Sequence, residues 1–236
     1  MVEPILEIKV LNFSYPIPGK KHAKGKQIIR DLYMNLYPQE FLAIVGENGV
    51  GKSTLMKLLF KVNQPDSGEI RIYGKPISSY RTKNLYHKMG LVFQNPENQF
   101  ITNTVFDEMM FSLKRVPISQ EEKEARVNKM LEKFHLEHEK EKSPFALSQG
   151  QKRRLSVASM LLTNQQVLFL DEPTYGQDFE NRQELMKDMQ ELVENGITIV
   201  MITHDLSLVK QYATRVVCIE KGTVTKDLPT AEYFAE

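Results

Sequence analysis

The stretch GENGVGKST, residues 46–54, constrains the fold of this chain more than any other part of its sequence. It follows the apolar run FLAIV and leads into KSTLMKLLF, a segment with the composition of a helix. Glycines let backbone N–H groups close around a phosphate, and the start of a helix adds the positive end of its dipole. The motif therefore predicts a strand, a phosphate-binding loop and a helix, in that order.

This loop predicts a nucleotide and a magnesium ion as ligands. We expect Lys52 to reach the β- and γ-phosphates, the Ser53 hydroxyl to hold Mg²⁺, and Thr54 to support a further phosphate contact. The expected nucleotide contacts in the loop are Gly46, Glu47, Asn48, Gly49, Gly51, Lys52, Ser53 and Thr54.

Four apolar runs lack the alternation of a half-exposed strand, which is typical of strands buried on both faces of a parallel sheet. They are FLAIVG (41–46), GLVFQ (90–94), QVLFLDE (166–172) and ITIVMITH (197–204). In an open α/β sheet the ligand lies beyond the carboxyl ends of the strands. We therefore expect the polar or glycine residues that end these runs to form one site: Gly46, Gln94, Asp171, Glu172 and His204.

The rest of the chain divides into a smaller sheet and a helical segment. EIKVLNFSY, QIIRDLYMNLY and EIRIYG alternate more and are separated by Pro and Gly, so they predict a mostly antiparallel sheet at the edge of the core. After Gln94 the pattern becomes helical, with Ser119 and Glu122 predicting a capping box before apolar residues at helical spacing. We predict a single domain, 1–236, in which 1–94 and 165–236 form the nucleotide-binding α/β core with its β subdomain and 95–164 an inserted helical subdomain.

The polar residues at the strand ends have side chains suited to phosphate chemistry. Asp171 is placed to bind a metal directly or through water, while Glu172 can accept a proton from an attacking water. His204 could hold the γ-phosphate and that water, although a lone histidine at a strand end is more often an ordinary one. Gln94 offers an amide oxygen to Mg²⁺ or to the same water. We expect Glu172, His204 and Gln94 to be catalytic, and Ser53, Gln94 and Asp171 to hold the metal.

Composition narrows the classes of partner. Lys and Arg total 31 against 30 Asp and Glu, and this net charge of +1 gives no global field to attract nucleic acid, so we expect no nucleic-acid partner. The longest apolar runs, such as ITIVMIT, are too short to span a bilayer, and we expect no signal segment. Cys218, the one cysteine, is expected to be a buried small side chain in a reducing compartment.

Further motifs follow one another in a recognisable order. They are NFSYP with Tyr15, GLVFQ with Gln94, LSQGQ (147–151), LFLDE with Asp171 and Glu172, TYGQD with Asp178, and VMITH with His204. With these motifs the chain resembles the ATP-binding cassette ATPases over almost its whole length. LSQGQ is the most specific match, because a phosphate-binding loop alone is common to many NTPase classes. The resemblance implies a P-loop NTPase (RecA-like) α/β fold that binds ATP and Mg²⁺.

The resemblance also implies that one chain carries two half-sites. In this family the aromatic residue matched by Tyr15 stacks on adenine, and the loop matched by LSQGQ completes the nucleotide site of the opposing subunit. Ser148, Gly150 and Gln151 would then cap the γ-phosphate of an ATP bound to the partner, with Asp178 also at the nucleotide. From the residues alone, Ser148 is a good N-cap and a helix N-terminus favours an anion, which equally describes a capped helix with nothing bound.

Two stretches depart from the family pattern. Gln149 stands where LSGGQ has its first glycine, which narrows the backbone freedom of the loop. TYGQD stands where SALD is commoner, which keeps Asp178 but alters the residues that face the other subunit.

NPENQ (95–99) and DEPTYGQD resemble the ATPases of energy-coupling-factor importers, which take up cobalt, nickel and vitamins. That branch implies two ATPases, identical or paralogous, docked at the cytoplasmic face of the membrane on a transmembrane coupling protein and a separate substrate-binding membrane subunit. Another importer or exporter class, or a soluble non-transport member, stays open. Soluble members usually have coiled-coil insertions or tandem cassettes, neither of which these residues contain, and a P-loop GTPase would need an N-K-x-D motif, which is absent.

Two remaining stretches have weaker signals. Apolar residues crowd into the first helix predicted for the inserted subdomain, where they could line a groove for a helix of the membrane partner or pack internally. The basic segment GKKHAKGK (19–26) predicts a solvated hairpin loop, and we assign it no function. The apolar set is Phe100, Ile101, Val105, Phe106, Met109, Met110 and Phe111.

Overall fold

A computed structural model describes residues 2–20 and 23–235, which form two β-sheets and the helices around them. The strands are β1 (Leu6–Pro16), β2 (Lys24–Leu36), β3 (Phe41–Val45), β4 (Ser67–Ile72), β5 (Lys75–Pro76), β6 (Met89–Val92), β7 (Val167–Asp171), β8 (Thr198–Ile202), β9 (Arg215–Glu220) and β10 (Thr223–Pro229). The α-helices are α1 (Lys52–Leu59), α2 (Thr82–Tyr86), α3 (Val105–Ser112), α4 (Gln120–Lys133), α5 (Gln149–Leu161), α6 (Phe179–Glu194), α7 (Leu206–Tyr212) and α8 (Thr230–Tyr233).

The larger sheet has the predicted parallel core. Within the described residues its order is β10, β9, β3, β8, β7, β6, and β10 alone among these strands is antiparallel to its neighbour. β3 and β8 are buried at every position, as their unbroken apolar sequences predicted. Ile202 pairs with Ile44 on one side and with Asp171 on the other, so β3, β8 and β7 end at the same edge of the sheet. The predicted site residues follow these strand ends.

The smaller sheet confirms the prediction for the N-terminal segments. Its order in the described part of the chain is β2, β1, β4, β5, and each neighbouring pair is antiparallel. Its apolar face includes Leu6, Ile8 and Leu32, which belong to one hydrophobic cluster with Leu55 and Leu59 of α1. This sheet therefore packs on the helix that follows the phosphate-binding loop.

Residues 95–164 are helical, as predicted, with two differences in detail. Only the first half of the predicted capping box forms: the Ser119 hydroxyl accepts a hydrogen bond from the N–H of Glu122, while the Glu122 carboxylate pairs with Arg126 one turn later. Phe100 and Ile101 precede α3 instead of lying in it. Part of the apolar set of this region packs inward and part faces outward, since Val105, Met109 and Phe100 are buried whereas Ile101 and Phe111 are exposed.

One hydrophobic cluster joins this helical segment to the sheet, because Phe134 and Leu155 share it with Leu170 of β7 and Met186 of α6. The division of the chain at residues 95 and 164 therefore stays a prediction. Cys218 is buried, as expected. No helix within residues 2–20 and 23–235 is long and apolar enough to cross a membrane. The prediction of a hairpin loop over 19–26 was wrong at its end, because residues 24–26 belong to β2, and positions 21 and 22 lie outside the described residues.

Candidate functional site

The phosphate-binding loop joins β3 to α1 and surrounds its own lysine. Lys52 Nζ donates hydrogen bonds to the carbonyl oxygens of Gly46, at 2.5 Å, and Glu47, at 2.9 Å. Burial lowers the pKa of Lys52, while the nearby carboxylates of Glu172 and Asp171 act in the opposite direction. A buried ammonium group at the mouth of a helix is a site for an anion, and the phosphate oxygens of a nucleotide fit it.

The backbone of the loop is set by two glycines. Gly46 has a φ of 151°, and a Cβ atom there would lie 2.3 Å from the carbonyl oxygen of Ile219 on β9. Gly51 is the N-cap of α1, and within the described residues no side chain caps this helix and its first turn contains no acidic residue. The first N–H groups of α1 are therefore available to an anion.

Tyr15 and Thr54 contact each other beside this loop. Their hydroxyl oxygens lie 3.3 Å apart, and this hydrogen bond lowers the pKa of Tyr15. The Tyr15 ring packs edge-on against Phe13, with 5.0 Å between centroids, and is 37% exposed. An exposed aromatic ring thus lies next to α1, while the Thr54 hydroxyl is directed at Tyr15. Ser53 is exposed at the start of the same helix.

Glu172 and His204 form a hydrogen-bonded pair where β7 and β8 end. Glu172 Oε1 lies 2.8 Å from His204 Nδ1, and Glu172 Oε2 accepts a hydrogen bond from the Thr203 hydroxyl at 3.2 Å. Glu172 has a φ of 45°, in the left-handed region, and its N–H donates to Ile202 O at 2.9 Å. This unusual backbone turn aims the carboxylate across to the neighbouring strand, where the histidine is. Two carboxylate oxygens with two polar neighbours can orient and deprotonate a water.

Asp171 has the environment of a cation ligand. Its burial raises its pKa, the adjacent charge of Glu172 raises it further, and Lys52 and Arg153 act against this increase. A cation would relieve the repulsion between the two carboxylates. Residues 2–20 and 23–235 contain no group of three His, Cys, Asp or Glu side chains that could hold a metal ion. A cation bound to Asp171 would therefore need other ligands. Mg²⁺ fits, since it is commonly bound by one or two carboxylates together with substrate phosphates.

Gln94 follows β6 and lies in an open cavity of about 540 Å³ beside Asp171. Its side chain is exposed, and its backbone carbonyl accepts a hydrogen bond from Arg153 of α5 at 2.6 Å. Tyr175 and Gln177 also line this cavity. The structure thus brings Gln94 to the edge of the sheet where Asp171 lies, as predicted.

The signature loop, Leu147–Gln151, starts helix α5 with a complete capping box. The Ser148 hydroxyl accepts a hydrogen bond from the N–H of Gln151 at 3.2 Å, and Gln151 Oε1 accepts one from the N–H of Ser148 at 3.0 Å. The Gln151 amide also donates to Glu139 at 3.2 Å. Ser148 is therefore an N-cap, as predicted, and the Gln151 side chain holds the loop itself.

Gly150 packs against the start of helix α6. A Cβ atom at Gly150 would lie 2.3 Å from Asn181 Oδ1. Asn181 in turn donates from Nδ2 to Asp178 Oδ2 at 2.7 Å and from its N–H to Asp178 Oδ1 at 2.9 Å. These hydrogen bonds lower the pKa of Asp178, which is the N-cap of α6. Two motifs that the sequence separates by some 30 residues therefore meet through Asn181.

The profile of the ABC transporter family matches residues 29–175, more than half of the chain. The chain belongs to the ABC transporter family. It is 36% identical over 235 residues to EcfA1, an energy-coupling factor transporter ATP-binding protein of Lactiplantibacillus plantarum, with 99% of this chain and 82% of that protein covered. It is 41% identical over 235 residues to YkoD of Bacillus subtilis, provisionally named an HMP/thiamine import ATP-binding protein, with 99% of this chain covered.

The chain spans 41% of the length of YkoD and 36% of an ABC transporter ATP-binding protein of Methanosarcina mazei. Among solved structures, this ABC cassette resembles cbiO1 of Clostridium perfringens, part of the ABC transporter complex cbiONQ, with a TM-score of 0.89, 34% identity and coverage of 99% and 92% of the two chains. A dimeric ATP-binding cassette bound to ADP and Pi has a TM-score of 0.82 at 24% identity, with 95% and 98% covered, and supports the fold.

Sequence reasoning missed three residues that organise this ABC site: Thr203, Asn181 and Arg153. Thr203 and Asn181 are short polar side chains whose contacts depend on the approach of a second element, and no sequence spacing indicates them. Arg153 did leave a signal. It lies three residues after Gly150 and four before Val157, all three are buried in α5, and a charged residue at a buried position is unusual.

Proposed function

We propose that this protein is the ATP-hydrolysing subunit of a membrane transporter. The observation that carries this proposal is the 2.8 Å contact between Glu172 and His204 at the strand ends beside the phosphate-binding loop. In this proposal Lys52 and the first N–H groups of α1 hold the phosphates, and Tyr15 stacks on the adenine. Glu47, Asn48 and Gly49 supply further contacts from the loop.

The metal site is proposed at Ser53, Asp171 and Gln94. Bound Mg²⁺ would neutralise charge on the β- and γ-phosphate oxygens. Burial and the charge of Glu172 both raise the pKa of Asp171, so a cation would stabilise its charged carboxylate. Ser53 lies exposed at the start of α1. Gln94 contributes its amide from the end of β6.

Glu172 is the proposed general base. Its carboxylate accepts hydrogen bonds from two sides, which fixes the oxygen that faces the attacking water, and His204 holds that water against the γ-phosphate. Because His204 is exposed, a second chain or the nucleotide can cover it. In-line attack on the γ-phosphate needs a water oriented in this way.

A second cassette, identical or paralogous, completes each site in this proposal. Ser148, Gly150 and Gln151 at the N-terminus of α5, together with Asp178, would cap the γ-phosphate of ATP bound to the partner cassette. The capping box supports this role, because it keeps the start of α5 preformed before any anion arrives. Two ATP molecules would then lie in the interface.

We assign the protein to the energy-coupling-factor branch, with uptake of a vitamin or a transition-metal ion through separate membrane subunits. The likeness to EcfA1 and cbiO1 supports this assignment. The partners in this branch are a transmembrane coupling protein and a substrate-binding membrane subunit. The cassette would lie at the cytoplasmic face of the membrane as a peripheral subunit.

A groove of about 1000 Å³, whose lining also includes Ser53 and Asp171 of the proposed metal site, contains the proposed docking site for the coupling protein. Ile101 and Phe111 line it and are exposed, whereas Met110 packs against the internal cluster. Phe111→Glu should therefore abolish copurification with the coupling protein and leave ATP turnover of the isolated cassette within about twofold. Unchanged assembly would count against the groove.

Two substitutions test the ATPase itself. Glu172→Gln should retain ATP and accumulate dimers with MgATP in sedimentation velocity, because the closed dimer forms but hydrolysis is slow. Lys52→Ala should stay monomeric, since phosphate binding is lost. A monomeric Glu172→Gln protein at saturating MgATP would contradict the proposal.

A further inference from the structure

Arg153 is a buried cation on the signature helix α5. Its side chain is 2% exposed and heads the largest fully buried side chains of the described residues. Buried arginines usually pair with a carboxylate. This guanidinium instead donates to two consecutive backbone carbonyls, from Nη1 to Phe93 and from Nη2 to Gln94 at 2.6 Å.

These carbonyls belong to the Q-loop segment, residues 93–97, which leaves the sheet after Val92. The side chains of Phe93, Gln94 and Asn95 are exposed and Pro96 is the buried residue of this segment, so packing does little to fix the backbone at Phe93 and Gln94. The neighbouring residue of α5, Lys152, donates to Glu97 at 2.6 Å. Two consecutive residues of the signature helix therefore hold both ends of the segment that presents Gln94.

The charge on Arg153 is costly where it lies. Burial lowers its pKa to about 10, which still leaves the group protonated near neutral pH, and Asp171 is the carboxylate that favours the charged form. Among the described residues its Nε is buried without a hydrogen-bond partner. A neutral side chain at this position would avoid the cost of burying a charge. The planar fork of a guanidinium, however, reaches two adjacent carbonyls from two separate nitrogens in a fixed geometry, which the single nitrogen of a lysine does not reproduce.

We propose that Arg153 is a positioning residue that ties Gln94 of one nucleotide site to the signature loop that serves the other. This inference rests on the proposed function. Ser148, five residues earlier on α5, would reach the ATP of the partner cassette, while Gln94 reaches the ATP of its own chain. Arg153 touches neither nucleotide. It fixes the backbone at Phe93 and Gln94, so Gln94 is in place only when α5 is in place.

A double-mutant cycle tests this role. Arg153→Met should lower kcat about tenfold, because a misplaced catalytic group is costly, while the Kd for ATP changes less than about twofold. In the Gln94→Ala background the same substitution should change kcat by less than about twofold, since its effect passes through Gln94. Arg153→Lys, which keeps the charge and loses the planar fork, should be intermediate.

Arg154→Met is the matched control. Arg154 is the next residue of α5 and pairs with Glu184 of α6 at 2.6 Å, away from the Q-loop segment. Its effect on kcat should multiply with that of Gln94→Ala. If the effects of Arg153→Met and Gln94→Ala on kcat also multiply, Arg153 has only a structural role and the proposal is overturned.

Hydrogen exchange gives a readout that needs no turnover. The amides of residues 93–95, 97 and 98 should exchange at least about fivefold faster in Arg153→Lys than in the wild type, and Arg154→Met should leave them unchanged. Equal protection in all three proteins would refute the positioning role, even if Arg153→Met does not fold. Absence of ATP turnover in the wild type would instead refute the proposed function, and the exchange experiment would still decide the role of Arg153.

Discussion

The contact between Gly150 and Asn181 predicts a substitution whose effect changes sign with its background. A Cβ atom at Gly150 would lie 2.3 Å from Asn181 Oδ1 and 2.7 Å from its Cγ. Asn181 cannot turn away without losing its 2.7 Å hydrogen bond to Asp178. Overpacking of this kind costs about 1–3 kcal/mol, whereas Ala in a helix is more stable than Gly by about 0.5–1 kcal/mol.

Gly150→Ala should therefore destabilise the protein by about 1–2 kcal/mol and lower Tm by about 2–6 °C for a chain of this size. In the Asn181→Ala background the contacts with Oδ1 and Cγ are gone and a 3.2 Å approach to the Cβ of residue 181 remains, while the backbone N–H of residue 181 still donates to the Asp178 carboxylate. There Gly150→Ala should raise Tm by about 1–3 °C, because the helix preference of alanine then outweighs this milder contact. Scanning calorimetry of the four nucleotide-free proteins measures this difference. A Tm decrease of equal size in both backgrounds would refute the reasoning.

Three further predictions concern stability and turnover. Burial raises the pKa of Asp188 to about 6, so its stabilising contribution is present below about pH 4 and is lost as pH rises through 6. In urea titrations Asp188→Asn should be more stable than the wild type by about 1 kcal/mol at pH 7.5, a value reduced because Asp188 is partly exposed, and equal to the wild type at pH 4. The same stability difference at both pH values would contradict this. Arg215→Met removes a guanidinium that pairs with Asp227 at 2.6 Å and Glu40 at 3.2 Å, and should cost about 2–3 kcal/mol in the same titrations, because Glu40 is left buried and unpaired. His204→Ala should lower kcat about a hundredfold in a phosphate-release assay while the Kd for ATP stays within about twofold, and a large loss of ATP affinity would place His204 in binding instead.

The larger sheet could be predicted from the sequence because its strands have a distinctive hydrophobic pattern. β3 and β8 are buried on both faces, and continuous apolar residues are the pattern that such strands require. Once the strands are parallel, their carboxyl ends must meet, so the approach of Glu172 to His204 follows from topology. The site was therefore predictable at the level of which residues come together.

The contacts between motifs were harder to predict from the sequence. Asn181 meets Gly150 only because α5 and α6 pack side by side, and the distance between two helices is not encoded in the periodicity of either. Glu122 illustrates the same limit at short range. Its spacing from Ser119 fits a capping box, but a pairing with Arg126 one turn away competes for the carboxylate. Local sequence patterns indicate which hydrogen bonds and ion pairs are possible, and the neighbouring side chains in the fold determine which of them form.

Complementation between two inactive variants tests the composite site most directly. Lys52→Ala removes the phosphate-binding lysine and keeps the signature loop, whereas Ser148→Arg keeps the lysine and blocks the loop. Each protein alone should be inactive. If each ATP lies between the phosphate-binding loop of one chain and the signature loop of another, each heterodimer contains one intact site of two. An equal mixture should then recover between about a quarter of wild-type ATP turnover, if the chains pair at random, and about a half, if only heterodimers form. A mixture as inactive as its components, with heterodimers verified by sedimentation, would contradict the account.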